Sequence, residues 1–250
     1  MNLQEANFQL KEKGYCWFNL EDLNSELFKK LKRYLMCNEE SNLQSCFKNL
    51  RADLKYVKSN KELFVDREYG SYEKANMKKN ELIDLLKFKN VLGDDDLKLT
   101  GDQIWYFAHT NEIRLNKNFD KAFDGFLEKF LKDTYEEIVR YFFDFPTEQQ
   151  FSHHIEFTYY DNGCFLKNHS DGTGTGRICA CLIYLNEDYN FDDGGYLVLQ
   201  NTEKVLPKIG NVAIIDLQSF DIPHMVTEVT GGIGRYACLN FIRKAEDIFK

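Results

Sequence analysis

The stretch Lys167–Gly172, KNHSDG, places an imidazole and a carboxylate two positions apart within an apolar, strand-like run. In a β-strand, side chains i and i+2 project from the same face, so His169 and Asp171 are expected to direct a nitrogen and an oxygen at one point. These atoms are two ligand types for a divalent metal ion. A His-x-Asp pattern alone is a weak signal, because ordinary loops also contain it.

A third ligand is needed to hold such an ion. The remaining histidines are His109, His153, His154 and His224, and only His224 directly follows a strand-like run, in DIPHMV. Two histidines and one carboxylate on one face of an octahedron leave three positions open, the arrangement found in non-haem Fe(II) oxygenases. Arg235 follows His224 after eleven residues, and its planar guanidinium matches a carboxylate.

The elements that must position these groups divide the chain into two parts. Residues 20 to 145 are rich in Lys, Glu, Leu and Phe at helical spacing, whereas residues 150 to 243 are rich in β-branched and aromatic residues punctuated by glycine. The clearest predicted helix lies within 117 to 142. Its apolar stripe, suited to cover a sheet, consists of Phe119, Phe123, Phe126, Phe130, Ile138 and Phe142.

Five strands are predicted in the second part, separated by glycine-containing turns. They are HHIEFTYY, RICACLIYLN, GGYLVLQ, NVAIIDL and RYACLNFI. Short strands at close spacing favour an antiparallel sandwich or barrel, and the fold class is therefore α+β. RICACLIYLN is apolar almost throughout, as is typical of a central strand buried on both faces.

Six short motifs follow one another along the second part of the chain. They are Tyr160-x-x-Gly163, His169-x-Asp171, GRICACLIYLNEDYNFDDGG, Pro207-x-x-Gly210, His224 and Arg235-Tyr236-Ala237. This ordered set, over about residues 155 to 243, resembles the iron(II)- and 2-oxoglutarate-dependent dioxygenases, most closely their prolyl hydroxylase branch.

The resemblance implies a double-stranded β-helix, or jelly roll, with the N-terminal helices packed on one sheet. It also implies that His169, Asp171 and His224 bind Fe(II), that 2-oxoglutarate and O2 are co-substrates, and that ascorbate supports turnover. Halogenating relatives replace the carboxylate ligand with a small residue. Because Asp171 is present, hydroxylation is favoured.

Further residues are implied by the same resemblance. Arg235 and Tyr184 would hold the distal carboxylate of 2-oxoglutarate, and Tyr160 matches a family tyrosine that reaches the same co-substrate. Arg177 and Phe241 fall where the prolyl branch contacts its substrate. The chain departs from that branch at Leu239, where a hydroxyl-bearing residue is common, and in lacking Ser or Thr two positions after Arg235.

The reaction implied is hydroxylation of an unactivated C–H bond of an amino-acid side chain, with release of succinate and CO2. A free amino acid and a residue within a peptide, such as proline, both stay open, with the free amino acid slightly favoured. The alternative from another class is a non-catalytic jelly-roll protein that binds a small carboxylic acid. Chelation of Fe(II) by 2-oxoglutarate would separate the two.

The bulk properties set the remaining expectations. The 250 residues suit a single domain, with 1–150 mainly helical and 151–243 forming the metal- and co-substrate-binding core. A formal charge of −8 disfavours nucleic acid as a partner. Seven cysteines without CxxC spacing, and no membrane-spanning run, predict a cytoplasmic protein without a membrane partner. The oligomeric state is left open.

Overall fold

Two antiparallel sheets face each other across an apolar interior. The computed structural model describes residues 1–36, 104–109, 112–118, 125–160, 162–173, 176–232 and 234–245. The larger sheet has seven strands in the order β1-β9-β6-β11-β4-β3-β2, and the smaller sheet has four in the order β5-β10-β7-β8. This pair of sheets, with helices on one of them, confirms the predicted α+β double-stranded β-helix.

The strands of the larger sheet are β1 (Tyr15–Asn19), β2 (Ile104–His109), β3 (Glu112–Asn118), β4 (Phe151–Tyr160), β6 (Arg177–Tyr184), β9 (Asn211–Asp216) and β11 (Arg235–Lys244). Those of the smaller sheet are β5 (Leu166–His169), β7 (Leu197–Leu199), β8 (Glu203–Val205) and β10 (His224–Val226). The helices are α1 (Leu3–Lys13), α2 (Leu20–Leu23), α3 (Ser25–Met36) and α4 (Gly125–Phe142), with a 3-10 turn at Phe191–Asp193.

Strand β6 lies between β9 and β11, where its apolar sequence predicts a central position. Its two faces serve two different cores. Cys181 and Ile183 pack in the core that the helices cover, whereas Ala180 and Tyr184 pack in the interior between the sheets. The alternation follows from the two-residue period of a strand.

Helix α4 covers the outer face of the larger sheet. Tyr135, Ile138 and Val139 are fully buried there, and the Tyr135 hydroxyl donates a hydrogen bond to the Cys238 carbonyl at 2.8 Å. Phe142 packs against Phe18 of β1 with ring centroids 4.8 Å apart. The helix therefore holds the sheet from outside and leaves its inner face to the site.

The helix lies within the predicted range of 117 to 142. It runs from Gly125 to Phe142, and Phe119 and Phe123 of the predicted stripe lie outside the described residues. Lys117 and Asn118, at the start of the predicted range, belong to β3 and pair with Phe157 and Glu156 of β4.

The part predicted as mainly helical also contains three strands. β1 pairs with β9, and the β2–β3 hairpin extends the sheet edge beyond β4. These pairings join distant parts of the chain, which a local hydrophobic pattern does not reveal. Within the described ranges no helix is long and apolar enough to cross a membrane. The five described cysteines are buried, and none of them forms a disulfide with another described residue.

Candidate active site

The ends of two paired strands bring two histidines together. β5 ends at His169 and β10 begins at His224, and the two residues are direct partners in the antiparallel register. Directly opposed residues project from the same face, and the two imidazole rings have centroids 4.2 Å apart. The short β5–β10 ladder is thus the element that sets the spacing of the two rings.

Asp171 completes the cluster from a loop and not from a strand, which corrects the expected geometry. β5 ends at His169, two residues before Asp171, and Gly172 then adopts a left-handed backbone conformation with φ +73°. The carboxylate nevertheless reaches both histidines, with Asp171 Oδ1 3.9 Å from His169 Nε2 and Oδ2 3.7 Å from His224 Nε2. One ligand atom from each of the three residues lies within 4.8 Å of the others.

The tautomer of His224 favours cation binding. Its Nδ1 lies 3.0 Å from the Ile222 carbonyl oxygen, and because a carbonyl only accepts, Nδ1 carries the proton and donates. In the neutral ring, Nε2 then presents a lone pair toward the Asp171 carboxylate. Such a backbone partner is typical of metal-ligating histidines, and acceptor atoms that face each other suit a divalent ion between them.

A buried guanidinium lies at the far end of the same pocket. Arg235 is 1% exposed, and its cross-strand partner on β4 is Tyr160. Its Cζ lies 4.8 Å from the Tyr160 ring centroid and 5.1 Å from that of Tyr184, and Nη2 donates to the Tyr184 hydroxyl at 3.3 Å. Within the described part of the chain no carboxylate pairs with Arg235, and its buried Nε has no hydrogen-bond partner.

An unpaired buried cation is costly, so this end of the pocket is complementary to an anion. The Tyr184 hydroxyl accepts from Arg235 and keeps its own proton to donate. Burial raises the pKa of Tyr184, and the adjacent Arg235 only partly opposes this shift. The neutral phenol therefore offers a second donor beside the guanidinium.

Two residues around Arg235 were missed by the sequence analysis. A Cβ at Gly195, where φ is +63°, would lie 2.5 Å from the Tyr189 hydroxyl and 3.2 Å from Arg235 Cδ. Burial raises the pKa of Tyr189 to about 12, against the opposing effect of Arg235. The DDGG segment at residues 192–195 predicts a turn. Its local pattern does not predict that Gly195 leaves space for the Arg235 side chain.

Apolar side chains from both sheets also line this pocket. They include Leu182 and Leu239 from the larger sheet and Leu197 and Val226 from the smaller one. Among the predicted residues, the pocket is lined by His169, Asp171, His224, Arg235, Tyr160 and Phe241. Tyr184 contacts Arg235, and Arg177 lies over the Phe241 ring, with its Cζ 4.1 Å from the ring centroid.

The remaining histidines near the sheet lie outside the cluster. His153 Nδ1 is 2.9 Å from Asn240 Nδ2, and His154 Nε2 is 2.7 Å from Glu156 Oε1. They project from opposite faces of β4, as expected for neighbours in a strand. The side chain of His109 lies outside the described part of the structure.

A family comparison bears on the strands that carry the site. The model of the 2OG-Fe(II) oxygenase superfamily matches residues 155–243. This segment belongs to that superfamily. The family implies Fe(II), 2-oxoglutarate and O2 and confirms the predicted enzyme class, a 2-oxoglutarate-dependent dioxygenase. No curated protein sequence matches the chain.

Solved structures share the fold of this chain at low sequence identity. A Pseudomonas putida prolyl-4-hydroxylase is 16% identical with a TM-score of 0.50, and the match covers 97% of this chain and 99% of that one. A Trichoplax adhaerens prolyl hydroxylase, solved with a hypoxia inducible factor peptide fragment, is 14% identical with a TM-score of 0.53, over 98% and 90% of the two chains.

A third structure of the same fold carries a different reaction. The non-heme alpha ketoglutarate dependent epimerase SnoN from nogalamycin biosynthesis is 8% identical with a TM-score of 0.51, over 97% of this chain and 83% of that one. The predicted resemblance to a prolyl-hydroxylase-like fold is therefore confirmed. The reaction and the substrate have to be argued from the site itself.

Proposed function

We propose that this oxygenase hydroxylates an unactivated C–H bond of an amino-acid side chain, using Fe(II), 2-oxoglutarate and dioxygen. The observation that carries the proposal is a single pocket in which His169, Asp171 and His224 converge and which Arg235 lines at its buried end. A cation site and an anion site within one apolar pocket are suited to a dicarboxylate that chelates the metal.

His169, Asp171 and His224 would hold Fe(II), and their donor set fits this metal. Two imidazole nitrogens and one carboxylate form the facial triad typical of non-haem Fe(II) oxygenases, which leaves positions open for co-substrate and dioxygen. The Ile222 carbonyl accepts a hydrogen bond from His224 Nδ1 and fixes the ring, so that Nε2 would be the ligating atom.

Arg235, Tyr184 and Tyr160 would hold the distal carboxylate of 2-oxoglutarate. The guanidinium offers a planar fork of donors, and the Tyr184 hydroxyl fixes one side of that fork. The Tyr160 ring lies against the guanidinium and restricts its orientation. A preorganised fork loses little side-chain entropy when the carboxylate binds.

Bound Fe(II) supplies the redox chemistry, in which dioxygen and 2-oxoglutarate give succinate, CO2 and one oxygen atom for insertion into a C–H bond. The balanced reaction joins R–H, O2 and 2-oxoglutarate to form R–OH, succinate and CO2. It requires no net proton transfer from a side chain, so we assign no general base. The protein orients the reactants and excludes water with Leu182, Leu197 and Leu239.

An amino-acid side chain is proposed as the substrate group for two reasons. The fold is shared with prolyl hydroxylases, one of them solved with a peptide fragment. In addition, Phe241 lines the pocket that holds the cluster, and Arg177 lies over its ring, so the two would contact a polar substrate. Both a free amino acid and a peptide residue fit these two observations.

Anaerobic titration of Fe(II) and 2-oxoglutarate tests co-substrate binding. Bidentate chelation gives a visible metal-to-ligand charge-transfer band, which we expect in the wild type and expect to be lost in His224→Ala. A matched control is His153→Gln, a histidine outside the metal cluster, which should keep the band. An unchanged band in His224→Ala would show that this residue is not the third ligand.

The reaction itself is tested under air with ascorbate, by measuring succinate and the mass of the product. Hydroxylation adds the mass of one oxygen atom, whereas an epimerase product keeps the mass of its substrate. If 2-oxoglutarate binds without Fe(II) and no succinate forms with any free amino acid or proline-containing peptide, the chain is instead a binding protein for a small carboxylic acid.

A further inference from the structure

Two hydroxyl-bearing side chains lie at equivalent positions on the two strands that flank Arg235. Ala237 lies two residues after Arg235 on β11. It pairs with Thr158 of β4 on one side and with Tyr184 of β6 on the other. We call Thr158, Ala237 and Tyr184 the hydroxyl row. Because directly opposed residues project from the same face of a sheet, the row shares the pocket-facing side of β11 with Arg235.

The register makes Thr158 and Tyr184 diagonal neighbours of Arg235, one on each flanking strand. Diagonal neighbours in an antiparallel sheet are about 7 to 8 Å apart, which is within reach of a long side chain. Arg235 does reach one of them, because its Nη2 donates to the Tyr184 hydroxyl at 3.3 Å. Toward β4, Arg235 Cζ lies 4.8 Å from the ring centroid of Tyr160, two residues after Thr158. The guanidinium is therefore in contact with both strands that carry a hydroxyl of the row.

Thr158 lines the pocket, and its hydroxyl forms a weak contact with the protein. The residue is 4% exposed, and its Oγ1 donates to the Ala237 carbonyl at 3.5 Å. Hydrogen bonds between two oxygens are usually about 2.7 to 2.8 Å long, so this contact is at the limit of a hydrogen bond. The hydroxyl proton can rotate, and a carboxylate is a stronger acceptor than a backbone carbonyl. An anion in the pocket would therefore compete well for this donor.

The middle residue of the hydroxyl row is small. Ala237 has a single methyl group, whereas the next two residues on this face of β11 are Leu239 and Phe241. β4 and β6 flank β11, so their backbones are two interstrand spacings apart, about 9.5 Å. No bulky side chain of β11 separates the Thr158 side chain from that of Tyr184. Both hydroxyls can therefore be directed at one small group beside the guanidinium.

We propose that Thr158 is a further donor to the distal carboxylate of 2-oxoglutarate, on the side of the Arg235 guanidinium opposite Tyr184. When the carboxylate binds, the Thr158 hydroxyl turns from the Ala237 carbonyl and donates to a carboxylate oxygen. Thr158 thus touches the co-substrate and neither the metal nor the hydroxylated substrate. This inference rests on the proposed function and adds to it a residue that favours a dicarboxylate over a monocarboxylate.

The test compares 2-oxoglutarate with 2-oxopentanoate, which has the same carbon chain and the same chelating end but a methyl group in place of the distal carboxylate. A donor to that carboxylate stabilises only bound 2-oxoglutarate, whereas a residue that merely shapes the pocket affects both ligands. Titration of the anaerobic Fe(II) protein gives both dissociation constants from the charge-transfer band, because both ligands chelate through the same end. Calorimetry of the Mn(II) protein gives the constant for 2-oxoglutarate independently.

The main variant is Thr158→Val, which removes the hydroxyl and keeps nearly the same shape. It should raise the dissociation constant for 2-oxoglutarate roughly tenfold, as for the loss of one hydrogen bond to a charged group. The dissociation constant for 2-oxopentanoate should stay the same. Thr158→Ser keeps the hydroxyl and should keep most of the affinity for 2-oxoglutarate.

The matched control is Thr134→Val. Thr134 is a threonine of α4 that is 1% exposed, and its hydroxyl donates to the Phe130 carbonyl at 2.7 Å. Because α4 covers the outer face of the larger sheet, this variant should change neither dissociation constant. Thermal melts show that each variant is folded. Thr158→Ala and Thr158→Ser differ only in the hydroxyl, and they repeat the comparison should Thr158→Val not fold.

Failure of the proposed function and failure of the inference give different results. If the wild type gives no charge-transfer band with 2-oxoglutarate, the proposed function fails and the inference fails with it. If the band forms but Thr158→Val binds 2-oxoglutarate as tightly as the wild type, or weakens both ligands equally, the inference alone is wrong. A Thr158→Ser variant as weak as Thr158→Val would assign the loss to side-chain shape and would also overturn it.

Discussion

Arg235 lines the pocket, whereas Arg177 lies over the ring of Phe241, which lines the same pocket. The surroundings of the two arginines differ. Arg235 is 1% exposed, lies between two phenol rings and donates a hydrogen bond to Tyr184. Arg177 is half-buried and lies over the single ring of Phe241, and none of the described hydroxyl groups accepts a hydrogen bond from it. Both have a buried Nε without a hydrogen-bond partner in the described structure.

The difference indicates two kinds of recognition. A buried guanidinium fixed by a phenol is preorganised for one anion in one orientation, and its charge acts in a medium of low dielectric constant. A half-buried guanidinium on a ring face keeps more freedom, and solvent screens its charge. The arrangement around Arg235 suits 2-oxoglutarate, which is the same molecule in every turnover. The arrangement around Arg177 suits the substrate that is hydroxylated.

The largest effect is expected for Arg235→Leu. Removing one partner of a buried charged contact costs roughly 2 to 5 kcal/mol, so the dissociation constant for 2-oxoglutarate should rise at least about 30-fold. The melting temperature without 2-oxoglutarate should not fall, because the variant removes a buried charge that has no carboxylate partner among the described residues. Calorimetry and thermal melts of the Mn(II) protein measure both quantities.

The conservative variant Arg235→Lys sharpens this test. Lysine keeps the charge but lacks the planar fork, so its affinity for 2-oxoglutarate should lie between those of the wild type and Arg235→Leu. If Arg235→Leu binds 2-oxoglutarate as tightly as the wild type, Arg235 does not contact the co-substrate. The proposed difference in role between Arg235 and Arg177 would then be wrong.

A smaller effect is expected for Tyr184→Phe, which removes the hydroxyl beside Arg235. Hydrogen bonds to charged groups contribute about 1.5 to 3 kcal/mol, so the dissociation constant for 2-oxoglutarate should rise by roughly tenfold or more. The control is Tyr159→Phe. Tyr159 lies on the face of β4 that points away from the pocket, so this variant should leave the dissociation constant for 2-oxoglutarate unchanged. Equal effects of the two variants would show that the Tyr184 hydroxyl does not contact the co-substrate.

The same hydroxyl gives a pH prediction. Burial raises the pKa of Tyr184, so the phenol stays protonated up to its ordinary value of about 10 and above. A raised pKa means that the donor is present throughout the neutral range and is lost only when the pH passes the raised value. Tyr184 should therefore not titrate between about pH 7 and 9, and it should cause no change in the affinity for 2-oxoglutarate over this range. The measurement is the ratio of the dissociation constants of wild type and Tyr184→Phe at each pH, which should stay constant.

The contrast between the arginines was only partly predictable from the sequence. Residue spacing and motif order together brought His169, Asp171, His224 and Arg235 into one expected site, and the structure brings them to one pocket. Metal and co-substrate binding by these residues stay predictions. The burial of Arg235 beside Tyr189 and Gly195 was not predicted, because the residues come from separate segments that meet only through the sheet.

The misplaced elements have the same physical cause. Asp171 was expected on a strand with His169, but the β5–β10 ladder ends at the pair His169–His224 and the chain then turns. Residues 104–118 carried no clear strand pattern, and their hairpin joins the sheet by pairing with β4. Hydrophobic spacing records local preference, whereas strand pairing depends on a distant partner.

A modest effect is expected for Phe241→Leu, which removes the ring beneath Arg177. A cation–π contact of this exposure contributes about 0.5 to 1 kcal/mol, so the Michaelis constant for the hydroxylated substrate should rise roughly two- to fivefold. The Michaelis constant for 2-oxoglutarate should not change. A rise in the latter constant alone would instead assign the ring to the co-substrate.

The smallest effect is expected for Arg177→Gln on 2-oxoglutarate binding, with a change in the dissociation constant below about twofold. Arg177 contacts Phe241, which lies six positions from Arg235 along β11 on the same face, so the two guanidinium groups serve separate ends of the pocket. Long-range attraction between Arg177 and a dicarboxylate is weakened by solvent and salt at a half-buried site.

Calorimetry of the Mn(II) protein measures the dissociation constant for 2-oxoglutarate in Arg177→Gln. Measurements at low and at physiological ionic strength distinguish direct contact between Arg177 and 2-oxoglutarate from electrostatic attraction over a longer distance. A small loss of affinity that disappears at the higher ionic strength agrees with a distant charge. A loss of tenfold or more at both ionic strengths would mean that Arg177 touches 2-oxoglutarate. The two arginines would then clamp one ligand from both ends, and the substrate would have to be held by other residues.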